Sequence, residues 1–313
     1  MDGTVAITDF GWYESLLGQK CVEETNFWTP SAHFAFRGEK YSPFIFKLKA
    51  KYKHAVCGFG FFAQFSRLPD WLAWDAFNIR NGCETLGVMR QRIGAIRDRI
   101  DFHSDRHKSE IGCILIVQPT FFSEDAWIVG PDDWPPANLR HKRYDLTSGE
   151  GRRIWQECLA RTSGKLTLKT NESAALQQQE GRYGSPQLIA PRLGQGTFRV
   201  TVTDAYQRCC AVTREHSLPA LEAAHIQSYS DNGPHDIRNG ILLRADLHRL
   251  FDQGYLTITT DHRLEVSPRL KADYDNGRTY YPFHGTKLGI PRAPQDHPTS
   301  GFIRWHNENK YLT

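Results

Sequence analysis

The chain has 313 residues, 40% of them apolar and 24% charged, which is ordinary for a folded protein and excludes disordered and collagen-like chains. The longest apolar run, Ile111–Val117, is too short to span a membrane. The net charge of +4 is uneven, because residues 1–150 carry −1, residues 151–196 carry +4 and residues 197–313 carry +1.

Length and cysteine usage indicate an intracellular protein of two domains. A chain of this length is about twice the size of an average domain. The first residues lack the basic start and apolar stretch of a signal peptide. The seven cysteines are scattered, form no CxxC pair and are typical of reduced thiols. We therefore expect a cytoplasmic, bacterial protein.

Short apolar runs in residues 1–150 predict a β-rich domain. Pro43–Lys49, His54–Phe62 and Ile111–Gln118 are such runs, and Gly, Pro and charged residues separate them. In Gly87–Phe102 four apolar residues recur near helical spacing, which predicts a helix. We expect one α+β domain of the small-barrel type here.

The middle segment, residues 151–196, carries the positive excess and a run of three glutamines. Its Gly and Pro residues predict a linker or arm, with a helix over Gly151–Ala160. The charge is compatible with a nucleic-acid contact, although a solvated linker face explains it equally well. The candidate phosphate contacts are Arg152, Arg153, Lys165 and Lys169.

Residues 197–313 form the expected final domain, and its first half has a distinctive order of elements. Leu221–Ile226 predicts a short strand that ends near His225. A polar loop leads to a turn at Asn239, and Ile241–Leu243 predicts a second strand. Ala245–Phe251, which contains His248, predicts a helix.

The motifs AAHI, NGILL and LHRLFDQG in Tyr206–Thr259 resemble one branch of the HNH endonuclease family. The resemblance extends to the Trp-His segment within Phe302–Tyr311. It implies a ββα-metal domain that hydrolyses phosphodiester bonds in DNA with one divalent cation.

The resemblance also implies roles for individual residues. His225 would be the general base, since a neutral imidazole can take a proton from water. Asn239 would orient the ring of His225 and support the loop, or contact the metal directly. His248 would bind the metal. Many relatives have His or Asp where this chain has Ala224, so one expected ligand is missing.

Asp252 is the candidate for a second ligand, because it lies one helical turn after His248. It could instead brace the helix end. Such a donor set favours Mg²⁺ or Mn²⁺ over tightly held zinc. Two other nearby residues have simpler interpretations, Glu222 as a solvated strand residue and His235 as a loop residue.

The aromatic-rich region 26–81 more weakly resembles the PUA-like superfamily, which includes EVE, ASCH and SRA-type domains. The shared cues are FWTPS, the FKLK and GFGFF strands, and a helix start at WDAF. The resemblance implies a small β-barrel with flanking helices that holds a flipped, modified base. Trp28 and Trp74 would stack on the base, with Ser31 and Asp75 as polar readers, although each could be an ordinary core or cap residue.

Together the two resemblances imply a modification-dependent restriction endonuclease that acts on double-stranded DNA with modified cytosine. Two alternatives remain. The first domain could bind a protein or small effector, as in a toxin or defence nuclease, or the chain could be a DNA-binding protein with a decayed HNH fold. Double-strand cleavage needs two sites, which a homodimer would supply most simply.

Overall fold

The computed structural model describes residues 1–31, 35–99, 110–135, 139–162 and 193–313. The chain divides into two units, Met1–Arg192 and Leu193–Thr313. Within the described ranges no helix has the length and apolar character needed to cross a bilayer. All seven cysteines are free thiols.

The first unit is built around one mixed sheet of six strands. Its elements in chain order are β1 (Asp2–Ile7), α1 (Phe10–Gly18), β2 (Glu24–Thr29), β3 (Pro43–Lys47), β4 (Val56–Pro69), α2 (Asp70–Phe77), α3 (Leu86–Arg99), β5 (Glu110–Phe121), β6 (His141–Asp145) and α4 (Gly149–Thr162). The strand order is β2-β5-β4-β3-β1-β6, with β1 and β3 parallel and every other pair antiparallel. The α+β class is therefore confirmed. Among the described residues the sheet is open, with β2 and β6 at its edges, rather than a closed barrel.

Both faces of this sheet are covered by apolar side chains. Because side chains alternate along a strand, Phe44 and Phe46 of β3 share a face, on which they cluster with Trp12 and Leu16 of α1. Ile45 lies on the opposite face and clusters with Trp155 of α4. The strand is therefore buried on both sides, which explains its continuous apolar run.

The helix α4 crosses the expected domain boundary at residue 150. The sequence places most of this helix in a linker or arm, whereas Ile154, Trp155 and Cys158 are buried in the core of the first unit. A cut at residue 150 would remove these side chains and uncover one face of the sheet. The remainder of the expected linker up to residue 192 lies outside the described residues.

The second unit is a small α+β domain with two two-stranded sheets. It contains α5 (Gln195–Ala205), β7 (Leu221–His225), β8 (Gly240–Arg244), α6 (Ala245–Asp252), β9 (Leu256–Ile258), β10 (Leu264–Val266), α7 (Arg269–Tyr274) and α8 (Ser300–Asn309). β7 and β8 pair antiparallel from Leu221↔Arg244 to His225↔Gly240. Both α5 and α6 pack against this pair. The predicted order of strand, loop, strand and helix is confirmed.

Candidate active site

The strand pair β7–β8 and the helix α6 bring the candidate catalytic residues together. His225 ends β7, Asn239 ends a short 3-10 turn just before β8, and His248 lies in α6. The loop between the strands folds back tightly, since a Cβ on Gly233 would lie only 1.9 Å from the carbonyl oxygen of Gln227. A glycine is therefore required at this position of the loop.

His225 is held between a phenyl ring and a second imidazole. Its ring stacks on Phe198 of α5 with centroids 3.9 Å apart and planes 10° from parallel. Its Nε2 lies 2.9 Å from Nδ1 of His235. Burial, and then the neighbouring charges of His235 and His248, lower the pKa of His225 to about 4. The ring is therefore neutral at neutral pH and keeps a lone pair for a proton.

His235 is not the isolated loop residue that the sequence suggested. Besides its contact with His225, its ring stacks on Tyr229 with centroids 4.6 Å apart and planes 5° from parallel. It lies ten positions after His225 in the loop, so only the path of that loop brings the two rings together. No spacing rule in the sequence points to this pair.

Asn239 makes its side-chain hydrogen bonds to the backbone of the loop and not to the ring of His225. Its side chain is fully buried. Its Oδ1 accepts from the Gln227 N–H at 2.8 Å, and its Nδ2 donates to the carbonyls of Gln227 at 2.9 Å and Pro234 at 3.0 Å. These hydrogen bonds fit the loop-support part of the expected role, while the ring of His225 has its hydrogen-bond partner in His235.

His248 lies between two carboxylates. Its Nδ1 is 2.7 Å from Oε2 of Glu222, and its Nε2 is 3.2 Å from Oδ2 of Asp252. Burial alone would lower the pKa of His248, but hydrogen bonds and charges from Asp252 and Glu222 outweigh it and raise that pKa. Glu222 is partly exposed, yet its carboxylate contacts His248, so it is more than a solvated strand residue.

The donor atoms around His248 fit a hard divalent cation. Two ligand atoms that bind one ion at about 2.1–2.3 Å and near a right angle lie about 3 Å apart, close to the separation of His248 Nε2 and Asp252 Oδ2. The shorter contact of Nδ1 with Glu222 is that of a charge-assisted hydrogen bond. Among the described residues no three His, Cys, Asp or Glu side chains are already grouped around one ion position. Water and phosphate oxygens would complete the coordination, as is usual for Mg²⁺.

Three of the four expected base-contacting residues lie on two elements of the first unit, and Ser31 follows one of them. Trp28 is in β2, half-buried, and its Nε1 donates to the Asn81 carbonyl at 2.9 Å. Ser31 follows that strand and its carbonyl accepts from a threonine hydroxyl. Trp74 and Asp75 lie on α2, half-buried and exposed respectively, and α2 packs against β2, β4 and β5.

A buried polar cluster, which the sequence does not predict, lies beside Trp28. Asn26 and Asn81 are both fully buried, and Asn26 Nδ2 donates to Asn81 Oδ1 at 2.9 Å and to Cys113 Sγ at 3.3 Å. Asn26 Oδ1 has no hydrogen-bond partner in the described part of the chain. Two asparagines 55 positions apart carry no local signal that they meet.

The basic residues of the middle segment have different environments. Arg153 bonds to Glu150 at 2.7 Å, to Glu157 at 2.9 Å and to the carbonyls of Val129 and Gly130. Its charge is neutralised within the first unit, so its expected phosphate contact is not supported. Arg152 is exposed on α4. Lys165 and Lys169 lie outside the described residues.

Comparison with known proteins identifies the family of the site. Residues 210–259 match the family of HNH endonucleases. This segment contains His225, Asn239, His248 and Asp252, together with Glu222 and His235. The second unit therefore carries an HNH endonuclease domain. No curated protein matches the chain.

Solved structures of two kinds are similar to parts of the chain. One is a modification-dependent restriction endonuclease, TagI, which is 23% identical over 37% of this chain with a TM-score of 0.27. The match spans 38% of the length of that endonuclease. Another is the ASCH protein from Zymomonas mobilis, 10% identical over 49% of this chain and 94% of its own, with a TM-score of 0.32.

Proposed function

We propose that the chain is a metal-dependent DNA endonuclease whose first unit selects the target by a modified base. The observation that carries the nuclease part is the arrangement of His225 and His248. One imidazole is neutral and available as a base, and the other lies between two carboxylates within the same short segment.

His225 would take a proton from the attacking water. As that proton leaves, the water oxygen bonds to phosphorus, and the bond from phosphorus to the leaving sugar oxygen breaks. The lowered pKa of His225 keeps its lone pair available at neutral pH. The anionic phosphate of a bound DNA would favour the imidazolium that forms, which makes proton uptake easier in the complex.

His248 and Asp252 would hold the divalent cation, and Glu222 would orient His248. In the neutral imidazole a hydrogen bond from Nδ1–H to Glu222 leaves the lone pair of His248 on Nε2, the nitrogen next to Asp252, so a cation that binds there would take the place of the Nε2 proton. Mg²⁺ or Mn²⁺, when bound, would neutralise phosphate charge and stabilise the leaving oxygen.

Substitutions at the three residues separate ligand from positioning roles in a Mn²⁺ titration by calorimetry. Asp252→Asn should weaken Mn²⁺ binding, since it removes a charged donor. Glu222→Leu should weaken it about 10- to 100-fold, whereas Glu222→Gln, which keeps an acceptor for Nδ1–H, should lose less. Equal losses for both Glu222 variants would contradict the positioning role.

Cleavage itself is tested with a nicking assay on plasmid DNA in Mg²⁺. His225→Ala should abolish nicking and leave DNA binding intact, because it removes the proton acceptor while His248 and Asp252, the residues that would hold the cation, stay in place. His284→Asn is the matched control, since this exposed imidazole lies in the same unit and its Nδ1 accepts from the Val266 N–H of β10, a role that an amide oxygen can replace. Loss of DNA binding by His225→Ala would count against the general-base role.

The first unit would read a modified cytosine in double-stranded DNA. Support comes from the half-buried Trp28, whose indole is held in place because its Nε1 donates to the Asn81 carbonyl of the buried polar cluster. Stacking of a flipped base on an indole contributes about 1–3 kcal/mol. Trp74, Ser31 and Asp75 remain candidates for contacts with the same base.

Base selection is tested by DNA binding with the full chain, because a fragment ending at residue 150 would lack α4 and its buried side chains. The chain carries His225→Ala so that the DNA is not cut during the measurement. Duplexes with cytosine, 5-methylcytosine, 5-hydroxymethylcytosine or glucosylated cytosine are compared in binding. Trp28→Ala should cost roughly tenfold to a hundredfold on the preferred duplex only, and Trp28→Phe should retain most of the preference. Equal binding of every duplex would replace base reading with an effector- or protein-binding role.

A further inference from the structure

The loop after β7 presents His235 to His225 through several independent contacts. Asn239 bonds to the loop backbone at Gln227 and Pro234, next to His235. The ring of Tyr229 stacks on His235. The ring of Phe198 stacks on His225 from α5. The contact between the two imidazoles therefore joins two rings that are each held in place by an aromatic neighbour.

The hydrogen bond between the imidazoles divides the nitrogens of His225 into two kinds. Nε2 faces Nδ1 of His235 at 2.9 Å. Nδ1 is the nitrogen that remains for a water molecule. If His225 donates its Nε2–H to His235, Nδ1 carries the lone pair that a general base needs. If His235 donates instead, His225 carries its proton on Nδ1 and cannot accept another there.

We propose that His235 is a positioning residue that accepts the Nε2–H of His225 and so keeps the lone pair of His225 on Nδ1. This inference rests on the proposed nuclease function. The proton taken from water goes to Nδ1 of His225, whose Nε2–H remains bonded to His235. That hydrogen bond strengthens when His225 becomes an imidazolium, because a charged donor bonds more strongly than a neutral one.

The stacked rings fix the orientation of both imidazoles, which the proposed hydrogen bond requires. A flip of the His235 ring would exchange Nδ1 for a carbon and break the contact with His225. The nearly parallel Tyr229 ring covers one face of His235 and opposes this rotation. The nearly parallel Phe198 ring does the same for His225.

Two substitutions at His235 separate the hydrogen bond from the shape of the side chain. His235→Asn places an amide oxygen near the position of Nδ1 and can accept from His225. His235→Phe keeps a flat ring that can stack on Tyr229 but accepts no hydrogen bond. We expect His235→Phe to lower the single-turnover cleavage rate about 100-fold, the lower end of what general-base catalysis contributes. His235→Asn should lose less than tenfold, and binding of DNA should not change in either variant.

A spectroscopic measurement tests the assignment without substrate. The ¹⁵N chemical shifts of the His225 ring in the full chain at neutral pH distinguish the nitrogen with a proton from the nitrogen with a lone pair. We expect Nε2 protonated in the wild type and in His235→Asn, and a mixture of both forms in His235→Phe. A proton on Nδ1 in the wild type would overturn the proposal, as would wild-type cleavage by a folded His235→Phe variant.

The failure of the proposed function has a different signature. A wild-type chain that nicks no DNA with Mg²⁺ or Mn²⁺ overturns the nuclease function, and the ¹⁵N shifts then still decide whether His235 accepts from His225. Thermal melting of both variants shows whether the second unit is folded. A His235→Phe variant that is folded, binds DNA and has lost cleavage supports the positioning role.

Discussion

Asn239 offers the most direct test of how the active-site loop is held. Replacing it with alanine removes three hydrogen bonds and leaves the N–H and carbonyl of Gln227 and the carbonyl of Pro234 without this partner. Each such loss costs about 1 kcal/mol, so Asn239→Ala should destabilise the second unit by about 3 kcal/mol. For a unit of this size the melting temperature should fall by roughly 10 °C.

The aspartate variant separates loop support from metal binding. Asn239→Asp keeps an acceptor for the Gln227 N–H but has no donor for the two carbonyls, and it buries a charge beside them. A supporting residue therefore tolerates aspartate poorly. A metal ligand would tolerate it well, since a carboxylate binds Mg²⁺ or Mn²⁺ more strongly than an amide does.

The assay is thermal unfolding of the full chain, followed by Mn²⁺ titration of the folded variants. Asn276→Ala, at an exposed asparagine in the same unit, is the control and should melt like the wild type. If Asn239→Ala melts with the wild type and loses Mn²⁺ affinity, the loop-support role is refuted and direct metal contact takes its place.

Three further predictions concern charge. Burial lowers the pKa of His306 to about 4, whereas the same imidazole in the unfolded chain titrates near 6.5. Between these pH values the unfolded chain binds more protons than the folded chain. The free energy of unfolding should therefore fall by up to roughly 3 kcal/mol as the pH drops from 6.5 to 4. Between pH 7.5 and 5 the melting temperature of a folded His306→Gln variant should change less than that of the wild type. An equal change in both proteins would show that His306 is not the source of the pH dependence. Arg153→Gln should destabilise the first unit by about 1–2 kcal/mol in urea unfolding, since it releases two carboxylates and two carbonyls. In DNA binding, the slope of log Kd against log salt should fall by about 0.9 for Arg152→Gln and stay unchanged for Arg153→Gln, and the reverse result would restore Arg153 as a phosphate contact.

The sequence predicts the scaffold of the active site because its signals are local. The predicted strand Leu221–Ile226 is observed as Leu221–His225, and the predicted helix Ala245–Phe251 as Ala245–Asp252. Short apolar runs and a turn residue at Asn239 are sufficient to predict these elements. In the first unit the predicted runs Pro43–Lys49, His54–Phe62 and Ile111–Gln118 overlap β3, the first half of β4 and β5, whereas the second half of β4, with Gln64, Ser66 and Arg67, has no such run.

Tertiary packing decides the parts that local patterns do not predict. The helix α5 contains the β-branched run VTVT, whose residue types prefer strands. Its threonines Thr201 and Thr203 each donate their hydroxyl to the carbonyl four residues earlier, at 2.7 Å, and its Phe198 and Val202 pack under β7 and β8. Burial of this face outweighs the weak local preference against a helix.

The contact between His225 and His235 in the active site is likewise not predicted by the sequence, because it depends on tertiary folding. His235 meets His225 only because the loop folds back at Gly233, and no periodicity records that path. The residue types were visible in the sequence, whereas the contacts between them were not. The sequence therefore identifies the family of the site better than it identifies the role of each side chain.

Ala224, the residue before His225, cannot bind a metal, and this absence of a ligand affects the expected metal binding. Alternate residues of a strand share a face, so Glu222 and Ala224 of β7 lie on the same side, and Glu222 reaches His248 of α6 from there. Glu222 therefore places a carboxylate on the same face as Ala224. This carboxylate contacts Nδ1 of His248, whereas Asp252 lies next to Nε2. An ion held by His248 and Asp252 alone has most of its coordination positions open to water and phosphate. Metal affinity should therefore be weak in the free protein and rise when the DNA phosphate supplies further oxygen ligands.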